Sequence, residues 1–324
     1  VSFTTKDYPI SIQEVFRAKE SVYRFLKPTK LNYYQNLSKL IGAEIYIKHE
    51  NHNPGGSFKI RGGINVMHHL KKGGVNGVIT FSTGNHGISV ATAAKWFGMD
   101  AVVVVPKGNN SAKNQAIIDT GAKLVEEGNN FEEAAEVVER LSQKRGLYYI
   151  HAANEPHLIN GVGTEFLEII ADLPDVDAVI LPIGAGSELA AAITVLKKIN
   201  PKIEIIAVQA EASQAAYLSW REKMIQSSEN KTFAGGFATG SAYELPFSIY
   251  KDQLDDFVTL NEDEIKKGIA LALKHTHNLA EGAGSAPIMA ALKLKDRLKD
   301  KKVVLQMSGA NIDEKILKEV IQSI

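Results

Sequence analysis

The chain has 324 residues, 44% hydrophobic and 23% charged, which suits a globular protein with two separate cores and excludes a disordered one. Its 37 basic residues equal its 37 acidic ones, so no surplus charge serves nucleic acid or an anionic membrane, and the absence of cysteine excludes disulfides, thiolate metal sites and cysteine nucleophiles. No apolar run approaches the roughly 20 residues that span a bilayer, and the first ten residues carry charges where a signal peptide has its apolar core, so a cytoplasmic location is expected.

An amphipathic helix is predicted at about residues 11–25, then a strand at 44–48 and a turn cluster at 51–56. Beyond them, strands at 77–81, 101–105 and 123–125 are each followed by a helix, at 88–97, 112–120 and 131–145. The alternation resumes with strands at 178–183, 203–208 and 303–307 and helices at 188–199, 214–226 and 313–324. Apolar strands separated by helices are the pattern of parallel sheets covered on both faces, which predicts an α/β protein of two doubly wound domains. Residues 56–150 form a self-contained block, expected to be a small domain inserted into a large discontinuous one made of residues 1–55 and 151–324.

In open α/β sheets ligands bind beyond the carboxyl ends of the strands, and four segments there carry candidate chemistry. In Pro54-Gly55-Gly56-Ser57-Phe58-Lys59-Ile60-Arg61-Gly62-Gly63 the glycines permit a tight turn, and Ser57 is the expected N-cap of a helix starting near Phe58. Lys59 then lies in the first turn, where the helix dipole favours a neutral amine, the form needed to condense with an aldehyde. The competing reading is a solvated surface lysine. Ser82-Thr83-Gly84-Asn85-His86-Gly87 joins a strand to a helix and presents amides and hydroxyls that suit an anion such as a carboxylate, or it is merely a turn with a cap. Gly184-Ala185-Gly186-Ser187 follows a strand and opens a helix, as a phosphate site does; it also imitates a nicotinamide-binding turn, although Leu189 stands where that motif has its third glycine. Ser308-Gly309-Ala310-Asn311, read alone, is a turn between strand and helix.

Taken together and in this order, these segments resemble the fold-type II pyridoxal-phosphate enzymes, the tryptophan synthase β-like group, and within it the threonine/serine dehydratase and serine racemase branch. The resemblance runs through nearly the whole chain. It implies pyridoxal 5'-phosphate in the cleft between the two domains, Lys59 as Schiff-base lysine and Cα base, and Phe58 against the pyridine ring. It further implies Asn85 on the ring hydroxyl oxygen, Gly184, Ala185, Gly186 and Ser187 around the phosphate, Ser308 facing the ring nitrogen and Glu281 near the cofactor. Ser82, Thr83 and the amides near His86 would hold the substrate carboxylate. A serine at the ring nitrogen does not stabilise a pyridinium, which suits elimination better than transamination. The implied activity is loss of a β-hydroxyl from L-threonine or L-serine to give a 2-oxo acid and ammonia. The alternatives are a serine or aspartate racemase, or a threonine synthase-like β-replacement enzyme.

The chain departs from the family pattern in places. Ala185 interrupts an otherwise glycine loop and fits only with φ below zero. Thr83 stands where racemases carry a serine, and its methyl narrows the site. Glu211 matches the first ligand of a divalent site, but Tyr217 stands where a later carboxylate is expected, so no metal is expected. The pairs His68-His69 and His275-x-His277 lack a ligand frame and are read as packing or surface residues. Residues 233–243, with Thr83, are candidates for the pocket around the substrate side chain. The family relation also implies a homo-oligomer, a dimer or tetramer. Because the chain ends shortly after the Ser308 loop, control by a carboxyl-terminal effector domain is not expected.

Overall fold

The computed structural model describes residues 7–129 and 131–323; residues 1–6, part of the segment read as unlike a signal peptide, and residue 324 lie outside them. Ten strands are described: β1 (Leu31–Tyr33), β2 (Glu44–Lys48), β3 (Gly77–Phe81), β4 (Asp100–Val105), β5 (Lys123–Glu126), β6 (Tyr148–Tyr149), β7 (Ala178–Pro182), β8 (Glu204–Ala210), β9 (Asp256–Leu260) and β10 (Lys302–Gln306). They form two sheets, one of six strands in the order β1-β2-β10-β7-β8-β9 and one of four in the order β5-β4-β3-β6. Every pairing is parallel except that of β1 with β2. The chain is therefore an α/β protein with mostly parallel sheets.

The chain divides into two compact units, one of residues up to Leu26 with Lys59–Thr164, the other of Lys27–Phe58 with Glu165–Ile324. These bounds differ from those expected from the sequence. The opening helix, Ile12–Val22, belongs with the four-stranded unit, where it packs on the helices Lys59–Lys72 and Pro156–Val162. Gly163 has no side chain because the methyls of Val15 press against it, at 2.6 Å from where a Cβ would stand.

In the first unit β3 is buried along its whole length, and its side chains alternate between two cores. Ile79 and Phe81 meet Ala134, Val138 and Leu141 of the helix Phe131–Arg145. Val78 meets Ile60, Ile64, Val90 and Ala94 of the helices Lys59–Lys72 and Asn85–Trp96 on the other face. Thr80, on the same face as Val78, is thereby aimed at the second of those helices. In the six-stranded unit the helix Gly282–Lys293 lies across the sheet, and Ala283, Ala286 and Ala290 share a core with Ile180, Val208, Val258 and Leu305. The carboxyl ends of β7 and β10 release the segments 183–187 and 307–311. Among the described residues no helix is long and apolar enough to cross a membrane.

Candidate active site

The residues expected to form the site fall into two sets, one in each unit. In the four-stranded unit, Lys59 is the first residue of the helix Lys59–Lys72, whose first turn contains no acidic residue. Its side chain is half-buried. Ser57 is not the N-cap: it stands two residues before the helix, in extended backbone, and forms an isolated bridge to Gly309. The Ser89 hydroxyl donates to the Lys59 carbonyl at 2.7 Å, tying the start of this helix to the helix Asn85–Trp96. Close approach is possible because residues 62 and 63 are both glycine. A Cβ at Gly62 would come within 2.9 Å of the Leu158 carbonyl, and one at Gly63 would strike the Ser89 hydroxyl.

The loop after β3 leads directly into the helix Asn85–Trp96. Asn85, His86 and Gly87 open the helix, no side chain caps it, and first-turn amides have no intrahelical partner. The Gly84 amide donates to the Ser82 hydroxyl at 3.2 Å, so Ser82 shapes the turn, and Thr83 is exposed at its tip. The His86 side chain is buried and turns inward. Thr80 Oγ1 donates to the Ile150 carbonyl at 2.8 Å, so it must accept from His86 Nε2, 2.9 Å away. Nε2 therefore carries the hydrogen. Nδ1 is buried and has no hydrogen-bond partner among the described residues. Burial, and then the charge of Lys59, pushes the imidazole down to about 3, so His86 is neutral.

In the six-stranded unit, Phe58, Ser308, Glu281 and the Gly184 loop are joined through a chain of close backbone approaches. The Phe58 amide donates to the Ser308 carbonyl at 3.0 Å, and the Glu281 amide donates to the Gly309 carbonyl at 3.0 Å. A Cβ at Gly284 would lie 2.5 Å from the Gly309 carbonyl, and one at Gly236 would lie 2.6 Å from Ala283 Cβ and 3.2 Å from the Glu281 carboxylate. Gly184 in turn faces the Gly236 carbonyl so closely that no side chain fits. Glu281 is buried at the N-cap of the helix Gly282–Lys293 but does not cap it with its side chain.

The Gly184 loop fits a phosphate. Gly186 is in the left-handed region at φ +93, which favours glycine, and Ala185 is not among the residues of positive φ, so its methyl is accommodated as required. The 13-residue helix Ser187–Ile199 starts there with no side-chain cap. Phe58 and Ser308 are buried. Glu211 is exposed at the start of the turn Glu211–Ser213 after β8, and Tyr217 is half-buried beyond it. Among the described residues no group of three or more His, Cys, Asp or Glu could hold a metal ion.

Three contributors were not found in the sequence. Gly236 walls the Gly184 loop, Ser89 holds the Lys59 carbonyl, and a buried ion pair braces the strand before the lysine loop. In that pair Lys48 Nζ donates to Glu168 at 2.5 Å and to the Thr29 carbonyl at 2.9 Å. Thr29 then donates its hydroxyl to Glu50, which also accepts from Asn53, both at 2.6 Å. The only sequence signal for them is the Gly235-Gly236 pair inside the segment already marked for the substrate pocket.

Comparison with known proteins identifies the family. The family described as pyridoxal-phosphate dependent enzyme matches residues 22–309. An L-threonine ammonia-lyase of Thermotoga maritima is 37% identical over 314 residues, 96% of this chain and 78% of that protein. The processed form of threonine deaminase isoform 2 from Solanum lycopersicum superposes with a TM-score of 0.89 at 30% identity, covering 99% of this chain and 98% of that one. Maize serine racemase superposes with a TM-score of 0.91 at 25% identity, covering 98% of each chain.

Proposed function

The chain belongs to the pyridoxal-phosphate dependent enzyme family, and on that premise we propose that it is an ammonia-lyase removing the β-hydroxyl of L-threonine or L-serine. The observation that carries the reading is the placement of Lys59 at the start of a helix whose first turn holds no acidic residue, one peptide bond after a residue hydrogen-bonded to Ser308. Lys59 is the Schiff-base residue. Phe58 would pack on the ring, Asn85 would hold its hydroxyl oxygen, the Gly184, Ala185, Gly186 and Ser187 loop would receive the phosphate, Ser308 would serve the ring nitrogen and Glu281 would stand near it. Pyridoxal phosphate, when bound, supplies an electron-withdrawing imine that acidifies the substrate Cα–H.

This chain's own residues account for the remainder. The substrate carboxylate sits on Ser82, Thr83 and the amides of Asn85 and His86, which aligns Cα with Lys59. The Lys59 amine takes the Cα proton, the Cβ–O bond breaks, and the departing hydroxyl takes that proton back from Lys59 to leave as water. The released enamine then takes up water to give a 2-oxo acid and ammonia. Ser308 offers a neutral hydroxyl rather than a carboxylate, which limits charge build-up on the ring and favours elimination. The enzyme works in the cytoplasm as a homo-oligomer.

The test is to incubate the protein, reconstituted with pyridoxal phosphate, with L-threonine, L-serine and their D-isomers while following 2-oxo acid and chirality. The expected outcome is 2-oxobutyrate from L-threonine and a fall of at least about a hundredfold in Lys59→Ala. Racemised serine with little oxo acid would transfer the chain to the racemase reading.

A further inference from the structure

We propose that Asn311 is a positioning residue for Lys59: its side chain latches the Gly55-Gly56 turn and so fixes the register in which the lysine is presented. The inference rests on the reading of Lys59 as the Schiff-base residue and adds a role for the one motif, Ser308-Gly309-Ala310-Asn311, whose asparagine has none in that reading.

The geometry is that of a short clasp. Asn311 Nδ2 donates to the Gly55 carbonyl at 2.8 Å. The Ala310 amide donates to the Gly56 carbonyl at 2.9 Å, Ser57 bridges Gly309, and the Phe58 amide donates to the Ser308 carbonyl at 3.0 Å. Four consecutive residues, 55 to 58, are thus matched to residues 311 to 308 in antiparallel sense. The next residue is Lys59. Gly55 and Gly56 have φ of +77 and +73; the Gly56 amide closes the turn on the Asn53 carbonyl at 2.8 Å, and the clasp adds the bonds to residues 308–311. Gly56 is also required by the asparagine itself, since a Cβ there would lie 2.8 Å from Asn311 Oδ1.

The clasp couples two groups that act on opposite ends of the same ring. The strand-like pairing that positions the peptide before Lys59 uses the carbonyl of Ser308, whose hydroxyl is proposed for the ring nitrogen. A slip of the turn by a fraction of an ångström would move lysine and serine out of step, and near-attack geometry does not tolerate it. Asn311 is half-buried at the edge of the clasp, where truncation leaves a small gap and not a core cavity.

Asn311→Asp keeps the shape but removes the donor, and Asn311→Ala removes both. In the full-length protein, pyridoxal phosphate binding is read by spectral titration, its attachment by borohydride trapping and peptide mass analysis, and the Schiff base by the pH midpoint of its absorbance band. Both variants are expected to weaken cofactor binding about tenfold, the loss of one well-made hydrogen bond, and to shift that pH midpoint. The unfolding temperature of the cofactor-free protein should stay near the wild-type value. A wild-type titration and midpoint in both variants would overturn the latch while leaving Lys59 in place. So would a loss of stability in the cofactor-free protein with an unmoved pH midpoint, since that is a merely structural clip. Failure to trap the cofactor on Lys59 of the wild-type protein would instead overturn the reading beneath it.

Discussion

A methyl group at residue 184 would have to occupy space already held by the carbonyl oxygen of Gly236, and Gly236 cannot retreat because Ala283 stands behind it. Gly184→Ala therefore pushes the phosphate loop, and not its neighbour, out of place. Overpacking of this kind costs about 1–3 kcal/mol, and here the strain falls on the amides that open the helix Ser187–Ile199. The expected outcome is at least about a tenfold rise in the dissociation constant of pyridoxal phosphate, or about 1.4 kcal/mol, measured by spectral titration. Ala185→Gly is the matching control, because residue 185 has no positive φ and gains nothing from glycine. Equal affinity in Gly184→Ala would mean that the loop does not receive the phosphate. The conditional expectation about Ala185 was legible in the sequence; the reason for Gly184 was not, since it lies in a residue 52 positions away, at Gly236.

The helix Lys59–Lys72 is held between two others by its missing side chains. On one side Gly161 approaches the Arg61 carbonyl so closely that a Cβ on it would lie 2.6 Å away, and on the other Gly63 abuts Ser89. Gly63→Ala would displace the Ser89 hydroxyl from the Lys59 carbonyl and press on the Ser89 carbonyl, 3.0 Å from the new Cβ. The expected cost is about 1–3 kcal/mol, read as a lower urea midpoint, together with a weaker Schiff-base band. An unchanged midpoint would show that the two helices separate without cost. At this scale the six strands of the repeating pattern were readable because burial of most of them on both faces writes them as short apolar runs. The helix Gly282–Lys293 was not readable. Gly282, Gly284 and Pro287 punctuate it like a loop, and a helix buried all round loses the 3.6-residue alternation of an amphipathic one. β9 and the two short strands β1 and β6 were missed for a related reason, since a run of two to five residues has too few positions to show a period. The opening helix was recognised but given to the other unit, because an amphipathic stripe says that a partner exists without saying which. Lys48, Glu50 and Glu168 read as ordinary charged residues, and only their pairing in space reveals that they are buried.

Across the whole molecule, the nine histidines are used mainly for packing, and three of them are buried neutral. Burial, and then the neighbouring His52, pushes His49 down to about 4; it faces Tyr34, Asn51, Lys48 and Glu50. Burial and then Lys59 push His86 down to about 3, against Thr80 and the Ile150 carbonyl. Burial, and then His69 and His68, push His157 down to about 3, where its ring stacks on His69 with centroids 3.8 Å apart and lies tilted against Tyr8 at 4.1 Å. The Tyr8 hydroxyl is itself bonded to Glu14, which pairs with Arg17. For a base whose folded value is depressed, the unfolded chain takes up the proton first, near its ordinary value of about 6.5. The folded state stays neutral until about 4 or 3. Stability from these three groups is therefore complete above about pH 7 and falls as pH drops from about 6.5 toward 4. Each contributes a slope of about 1.4 kcal/mol per pH unit. The paired carboxylates Glu204 and Glu264 are held below their ordinary value and begin to be lost only at lower pH, so the first part of the decline belongs to the histidines. The urea midpoint of the cofactor-free protein is expected to fall steeply between pH 6.5 and 5, and His157→Gln should remove about one proton from that dependence. A midpoint independent of pH across this interval would mean that the three imidazoles are protonated or solvated in the folded chain, contrary to their burial.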